Sequence, residues 1–387
     1  MDNELTSILE TCRRVIEDPT YPAVHEWLVD HPDGKVLGSF QVYFPEEIAH
    51  AAGMFPLKVM GADSSVQIGA ADAHIAAFVC SILRTALEQG LTGRLDFLSM
   101  YVTHPICDAA RHLNGVWTRQ FPDKNCQILY YPHNLRSAYG QAYLLDEYRR
   151  IASLIEEITG TAITDEALRA SIAVFNENRR LLRELYAIKR TTPWLISLVE
   201  AYLLTRSAGL MAREDHNDLL RRALPLIAAR DAKPQDKLRL VFEGGFCEQP
   251  PLELLSVLQD TAYIVDDDLL IGLRWLTEDV SAEGDPMDNL AAAYIETSSY
   301  SPVQRDPQKP KEDMLIARIR GSNAQAAIVS AAKMCEPGLE EQVAYDDALT
   351  AEAIPHLIME FEEKTANFEQ ARTEVETFAE SLLFEFA

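Results

Sequence analysis

Three of the six cysteines follow apolar runs that read as strands and precede stretches that read as helices. Cys107 sits in THPICD after Leu95–Leu98, Cys247 in GGFCEQPPLELL after Leu238–Phe242, and Cys335 in AAKMCEP after Ala326–Val329. A thiolate is a soft-metal ligand and a nucleophile, and the unpaired N–H groups at a helix start stabilise its charge. In open α/β sheets, ligands collect beyond the carboxyl ends of the strands, where these three thiols fall. Cys80, in FVCSILR, lies at the margin of a helical apolar stripe, and its position alone is neutral. Cys12 and Cys126 read as small core residues on a helix face and at a strand start. For each single cysteine, plain packing is the competing explanation.

In GGFCEQPP, Gly244-Gly245 lets the backbone approach a ligand closely, and Pro250-Pro251 starts a helix without wasting N–H donors. The alternative is a tight turn with Cys247 packed behind it. His104, three residues before Cys107, is a candidate proton donor or a hydrogen-bond partner of a ligand; the alternative is a solvated loop histidine. Glu46 and Glu47 read as helix-start acids. Asp266, Asp267 and Asp268 end a strand and either line a cleft or cap the next helix. Arg179, Arg180, Arg221 and Arg222 are of the type that meets phosphates, though solvated helix faces are the simpler reading. No CxxC, P-loop, G-x-G-x-x-G or H-E-x-x-H pattern occurs, so no local motif announces a cluster, a nucleotide or a zinc site.

The elements that must position these groups follow from periodicity. Val36–Phe40 and Leu57–Met60 read as strands, with a helix opened by Pro45-Glu46-Glu47 between them. Ile75, Phe78, Val79, Ile82, Leu83, Ala86 and Leu87 recur at helical spacing, with Gly90 as the stop. Leu95–Leu98 and Ile128–Tyr131 add strands. A helical stretch follows, in which Thr164 is an N-cap and Leu168, Ile172, Phe175, Leu182 and Leu185 share one face. Alternation returns with strands at Leu238–Phe242, Ala262–Val265, Ala326–Val329 and His356–Met359, and Glu369–Phe384 closes the chain as a helix. The expectation is an α/β fold: two Rossmann-like lobes with parallel sheets flanked by helices, plus a helical bridging segment. The expected division is an N-terminal helical segment at 1–33, a first α/β lobe at 34–145, a helical bridge at 146–236 and a second α/β lobe with its C-terminal helix at 237–387.

The 387 residues suffice for such cores, and 48% hydrophobic residues is ordinary for a globular chain. A net charge of −25 argues against nucleic acid. No apolar run has membrane-spanning length and no signal peptide is evident, so a cytoplasmic protein is expected.

VYFPEEIAHAAGMFPLKVMG (42–61), FVCSILRTALEQGL (78–91), HPICD (104–108), TDEALRASIAVFNENRRL (164–181), the 244–275 segment, GDPMDNLA (284–291) and KMCEP (333–337) together resemble the benzoyl-CoA reductase and 2-hydroxyacyl-CoA dehydratase family, in order along nearly the whole chain. FCEQPP with Val265–Asp268 is most similar to the ATP-dependent benzoyl-CoA reductases, and the length resembles their C (gamma) subunit. The resemblance implies a hetero-oligomeric enzyme that passes low-potential electrons from reduced ferredoxin to an aromatic acyl-CoA and yields a cyclic dienoyl-CoA. It implies a homologous cluster- and substrate-binding subunit and ATPase activator subunits in a heterotetramer, with ATP used by those partners and not by this chain. It also implies a [4Fe–4S] cluster, whose cysteines map onto Cys80, Cys107 and Cys335, with Cys247 as a fourth ligand or a near neighbour. The alternatives are a 2-hydroxyacyl-CoA dehydratase subunit and a cluster-free scaffold.

Overall fold

The computed structural model describes every residue except 1, 41, 62–64, 245–248, 300–303, 305, 363–366 and 387. The first part comprises α1 (Asp2–Glu17), α2 (Pro22–Asp30), β1 (Val36–Phe40), α3 (Glu46–Ala51), β2 (Phe55–Val59), α4 (Ser81–Leu91), β3 (Leu98–Thr103), α5 (Asp108–Gln120) and β4 (Asn125–Ile128). Four helices follow: α6 (Gly140–Thr159), α7 (Asp165–Thr191), α8 (Leu198–Arg206) and α9 (Arg213–Ala228). The last part holds β5 (Arg239–Glu243), α10 (Leu252–Thr261), β6 (Tyr263–Asp267), α11 (Pro286–Thr297), α12 (Lys311–Gly321), β7 (Ala326–Ala332), α13 (Glu336–Ala351), β8 (His356–Phe361) and α14 (Glu369–Phe386).

The strands form two sheets of four, ordered β2-β1-β3-β4 and β6-β5-β7-β8. Every pairing is parallel, with Gly38 opposite Leu57 and Tyr101 opposite Cys126 in one sheet, and Leu240 opposite Ala326 in the other. The two orders are the same, so one unit of strand connections is built twice. Strands β1, β2 and β7 are buried along their whole length, as befits parallel strands covered on both faces. The expected architecture is therefore present.

Several boundaries differ from the periodic reading, for identifiable reasons. Ala71–Ala73 forms a 3-10 turn and α4 begins only at Ser81, so Phe78 is exposed rather than on a core stripe. Gly90 does not stop this helix. It lies in the last turn beneath Trp117, where a Cβ would approach the indole to 2.8 Å, and the left-handed residue comes later, at Gly93. The third strand starts at Leu98, because residues 92–97 form the turn that leaves α4. α6 starts at Gly140, ahead of the expected bridge boundary.

Local chemistry sets the helix starts. Thr164 accepts the Ala167 N–H at 3.1 Å, as expected, and Ser197 with Glu200 completes a capping box on α8. The two lobes meet on an aromatic wedge. Tyr43 and Tyr131 come from the first lobe, and Trp275 and Tyr294 from the second, with ring centroids 4.3 Å apart for Tyr131–Tyr294 and 5.4 Å for Tyr43–Tyr294.

The exit of β5 is stapled on both sides. Gly244 has a φ of 114°, its N–H donates to Asp268 Oδ1 at 2.7 Å, and a Cβ there would fall inside the van der Waals shell of the Ser330 carbonyl on β7. Only glycine satisfies both the backbone angle and the approach. Gly244→Ala is expected to cost more than about 2 kcal/mol, whereas Gly53→Ala, at a φ of 75° with open space around it, costs about 1 kcal/mol. Urea unfolding of the two variants checks the difference.

Candidate functional site

Cys80, Cys107 and Cys335 each occupy the N-cap of a helix: α4, α5 and α13 respectively. Periodicity missed this for Cys80, because the apolar spacing runs through the 3-10 turn as though the helix were continuous. α4 and α5 pack on each other, and Cys80 and Cys107 belong to the same core cluster. Cys107 Sγ accepts the Ala110 N–H at 3.3 Å. Burial pushes its thiol pKa up, the N–H contacts offset part of this, and the nearby Glu336 carboxylate adds to the rise. Glu336 directly follows Cys335, so the start of α13 comes close to Cys107. Met334, just before Cys335, is a solvent-exposed methionine with a φ of 64°, in the region L side chains seldom adopt.

Cys247 lies outside the described residues, three positions after the Gly244 staple. Among the described residues, no three His, Cys, Asp or Glu side chains form a group that holds a metal ion. The donor chemistry of three capping thiols suits iron–sulfur ligation, but the described side chains alone do not assemble a ligand set. Cys12, with its thiol raised to about 11 by burial, and the half-buried Cys126 are packing residues, as expected.

Cys107 lines a cavity of about 660 Å³ between α5, the 304–310 segment, α12 and α13. Asp108, Asp306, Glu312, Glu336, Glu340 and Glu341 contribute its carboxylates, and Lys311 is the one Lys or Arg among the described lining residues, itself paired with Glu341. Such a wall repels phosphate. The segment that closes it is tied to the first lobe: Arg136 grips Asp306 and Glu296, and Gln304 accepts from Tyr294 and donates to the Pro132 carbonyl.

His104 is buried rather than solvated. Its Nδ1 lies 3.2 Å from the Leu129 carbonyl, which only accepts, so the ring proton is on Nδ1 and Nε2 presents a lone pair. Burial lowers its pKa to about 4, which makes it a neutral acceptor at physiological pH rather than an imidazolium acid. Its edge meets Tyr131, with centroids 4.6 Å apart.

The strand-end and helix-start acids are held by cations. Glu46 pairs with Lys58 and Arg213, and Glu47 with Arg179, all buried in the core around α3, α7 and α9. These are counterion sites more than dipole partners. Arg180 meets Asp279, Arg221 meets Glu177 and Asp218, and Arg222 meets Glu4, so each of these arginines already has an acid on this chain. On β6, Asp266 pairs with Arg190, and Asp267 with Lys189, Arg274 and the Tyr186 hydroxyl. Burial opposes ionisation of Asp267, but the Lys189 and Arg274 charges outweigh it and hold its carboxyl below the usual range.

Two Rossmann-like sheets with capping cysteines at their carboxyl edges define a paired α/β scaffold. Residues 41–382 match the family model described as 2-hydroxyglutaryl-CoA dehydratase, D-component, and the chain belongs to that family. It is 34% identical to the C subunit of benzoyl-CoA reductase from Thauera aromatica over 97% of this chain and 98% of that protein. It is 28% identical to the beta subunit of lactoyl-CoA dehydratase from Anaerotignum propionicum over 98% and 100% of the two chains. The beta subunit of (R)-2-hydroxyglutaryl-CoA dehydratase from Acidaminococcus fermentans is 29% identical over 90% and 92%. The relatives are subunits of enzyme complexes. Among the described residues, no helix is long and apolar enough to cross a membrane.

Two outcomes follow from the electrostatics. Imidazole NMR signals of His104 and of His216, lowered to about 4 and about 3, stay in the neutral form from pH 8 down to pH 5. Because both values lie below the ordinary histidine pKa, stability falls as pH drops from that value toward the folded one. Lys189→Met, which leaves the buried Asp267 carboxylate with Arg274 as its cation and the Tyr186 hydroxyl as its donor, costs about 3 kcal/mol in denaturant unfolding.

Proposed function

We propose that this chain is an iron–sulfur-cluster-binding subunit of an ATP-dependent benzoyl-CoA reductase. Within that complex, electrons from reduced ferredoxin, energised by partner ATPase subunits, reduce the ring of an aromatic acyl-CoA to a cyclic dienoyl-CoA. The observation that carries the reading is that Cys80, Cys107 and Cys335 all stand at helix N-caps, in a chain that resembles the C subunit of benzoyl-CoA reductase along 97% of its length. Cys80, Cys107 and Cys335 would hold a [4Fe–4S] cluster, with Cys247 as a fourth ligand or near neighbour; such a cluster, when bound, supplies one-electron chemistry.

The chain's own contribution is positional and electrostatic. The N-termini of α4, α5 and α13 favour thiolate over thiol, against the burial that raises Cys107. Tight packing of the first core around Cys80 and Cys107 excludes water from their backs. His104 holds a proton on Nδ1 against Leu129 and offers Nε2 as an acceptor, a role in proton handling that requires neutral imidazole. The acidic wall near Cys107 keeps the phosphates of CoA away from that cavity.

The dehydratase reading, a lyase that removes water from a 2-hydroxyacyl-CoA, is supported by the family model and by the beta-subunit relatives. Product analysis separates the two: net dearomatisation for the reductase, water loss with no net electron uptake for the dehydratase. Anaerobically purified complex is expected to contain iron and sulfide that Cys80→Ser, Cys107→Ser or Cys335→Ser each diminishes. Cys247→Ser then alters or spares the cluster spectrum according to its ligand status. A colourless, folded complex without iron overturns the cluster assignment.

A further inference from the structure

Tyr43 and Arg213 line a small cavity, of about 30 Å³, between α3, α7, the start of α9 and residues 272–276, and nothing in the reading above uses it. About 10–15 Å³ of such space admits one water-sized sphere, so one or two small particles fit and an organic molecule does not. Phe44, Phe175, Leu273 and Leu276 supply apolar wall. The Tyr43 hydroxyl and the Arg213 Nε–H are both buried, and neither forms a hydrogen bond among the described residues. Burial holds the Tyr43 phenol well above its ordinary value, so it keeps its proton to donate. A buried donor left unmet is costly, and two beside one cavity call for a shared acceptor.

The charge around this cavity is also out of balance. Glu46 of α3 serves both Lys58 of β2 and Arg213 of α9, while Glu47 serves Arg179 of α7. Three buried cations therefore share two carboxylates. Among the described residues, the neighbouring groups do not close that gap. Asp279 is committed to Arg180 and Arg183, and Glu214 is half exposed and pairs with His50. His216 is neutral, its pKa lowered to about 3, and Asn178 Oδ1 accepts from Arg213 Nη1 without adding charge.

We propose that this cavity binds a single monatomic anion, a halide such as chloride, held by the Tyr43 O–H and the Arg213 Nε–H. A water molecule satisfies the two donors but leaves the third cation unanswered in a dry interior. Phosphate, sulfate and carboxylates are too large for the space. A halide supplies the missing acceptor and the missing charge together. Its seat joins α3 and β2 of the first lobe to α7 and α9, and the inference does not rest on a cluster.

The test crystallises the full chain with sodium bromide and reads anomalous scattering at the bromine edge. A bromide peak is expected in the cavity, in contact with Tyr43 and Arg213. Lys58→Met, which leaves two cations to two carboxylates, is expected to lose it. In solution, replacing gluconate by bromide at constant ionic strength is expected to raise the thermal midpoint of the wild-type chain by about 2 °C more than that of Lys58→Met. Tyr43→Phe removes one donor and keeps every charge, and is expected to need about fivefold more bromide for half of the effect. Ordered water alone in wild-type crystals, a bromide peak of unchanged height in Lys58→Met, or the same bromide response in both midpoints overturns the proposal. Should Lys58→Met not fold, absence of the wild-type bromide peak or an unchanged half-effect in Tyr43→Phe overturns it, and their opposites uphold it.

Discussion

Buried charge must be answered by buried charge, and in this protein one helix supplies much of the answer. α7 sends Arg179 to Glu47 at the start of α3 and Lys189 to Asp267 at the end of β6. Ten residues separate the two cations, about 15 Å of helix. Each acid sits where a strand or a turn must stop at a defined place. Leaving either unpaired in a dry interior would cost several kcal/mol, so the helix is fixed to both sheets by electrostatic necessity as well as by packing. The apolar face of α7, with Leu168 and Ile172 toward one core and Leu182 and Leu185 toward the other, repeats the same division in hydrophobic terms.

Much of this fold was legible in the sequence. Val36–Phe40 is a strand to the residue, the other strands lie within a few positions of their apolar runs, and Thr164 caps α7 through its hydroxyl. Period-2 and period-3.6 patterns carry that information because burial is what they encode. The failures have the same origin. A 3-10 turn whose side chains continue the helical spacing looks like helix, which hid the capping position of Cys80. Gly90 has the composition of a stop signal, while its actual use is to admit an indole.

The site was legible in part and for a different reason. Strand-end thiols follow from topology, so Cys107 and Cys335 could be placed from the order of elements. Ion pairing could not: nothing local in the sequence tells that Glu46 and Glu47 answer Lys58, Arg213 and Arg179, whose positions lie up to 167 residues away. For His104 the sequence left a proton donor, a ligand's hydrogen-bond partner and a solvated loop histidine side by side, and only the three-dimensional contact with Leu129 fixes its burial and tautomer. Asp268 was one of three consecutive aspartates with identical local signals. Their environments part them into two ion-paired carboxylates and one that forms no ion pair among the described residues.

The seat of Trp117 on Gly90 has a consequence at the far ends of the two helices it joins. α4 begins at Cys80 and α5 at Cys107, and the thickness of one indole on a bare backbone fixes how near the helices lie ten residues further on. The pair works as a calliper: the gap between its sulfur-tipped points is set at the pivot. Any bulk introduced there would be read out as a change of spacing between two thiols that it never touches.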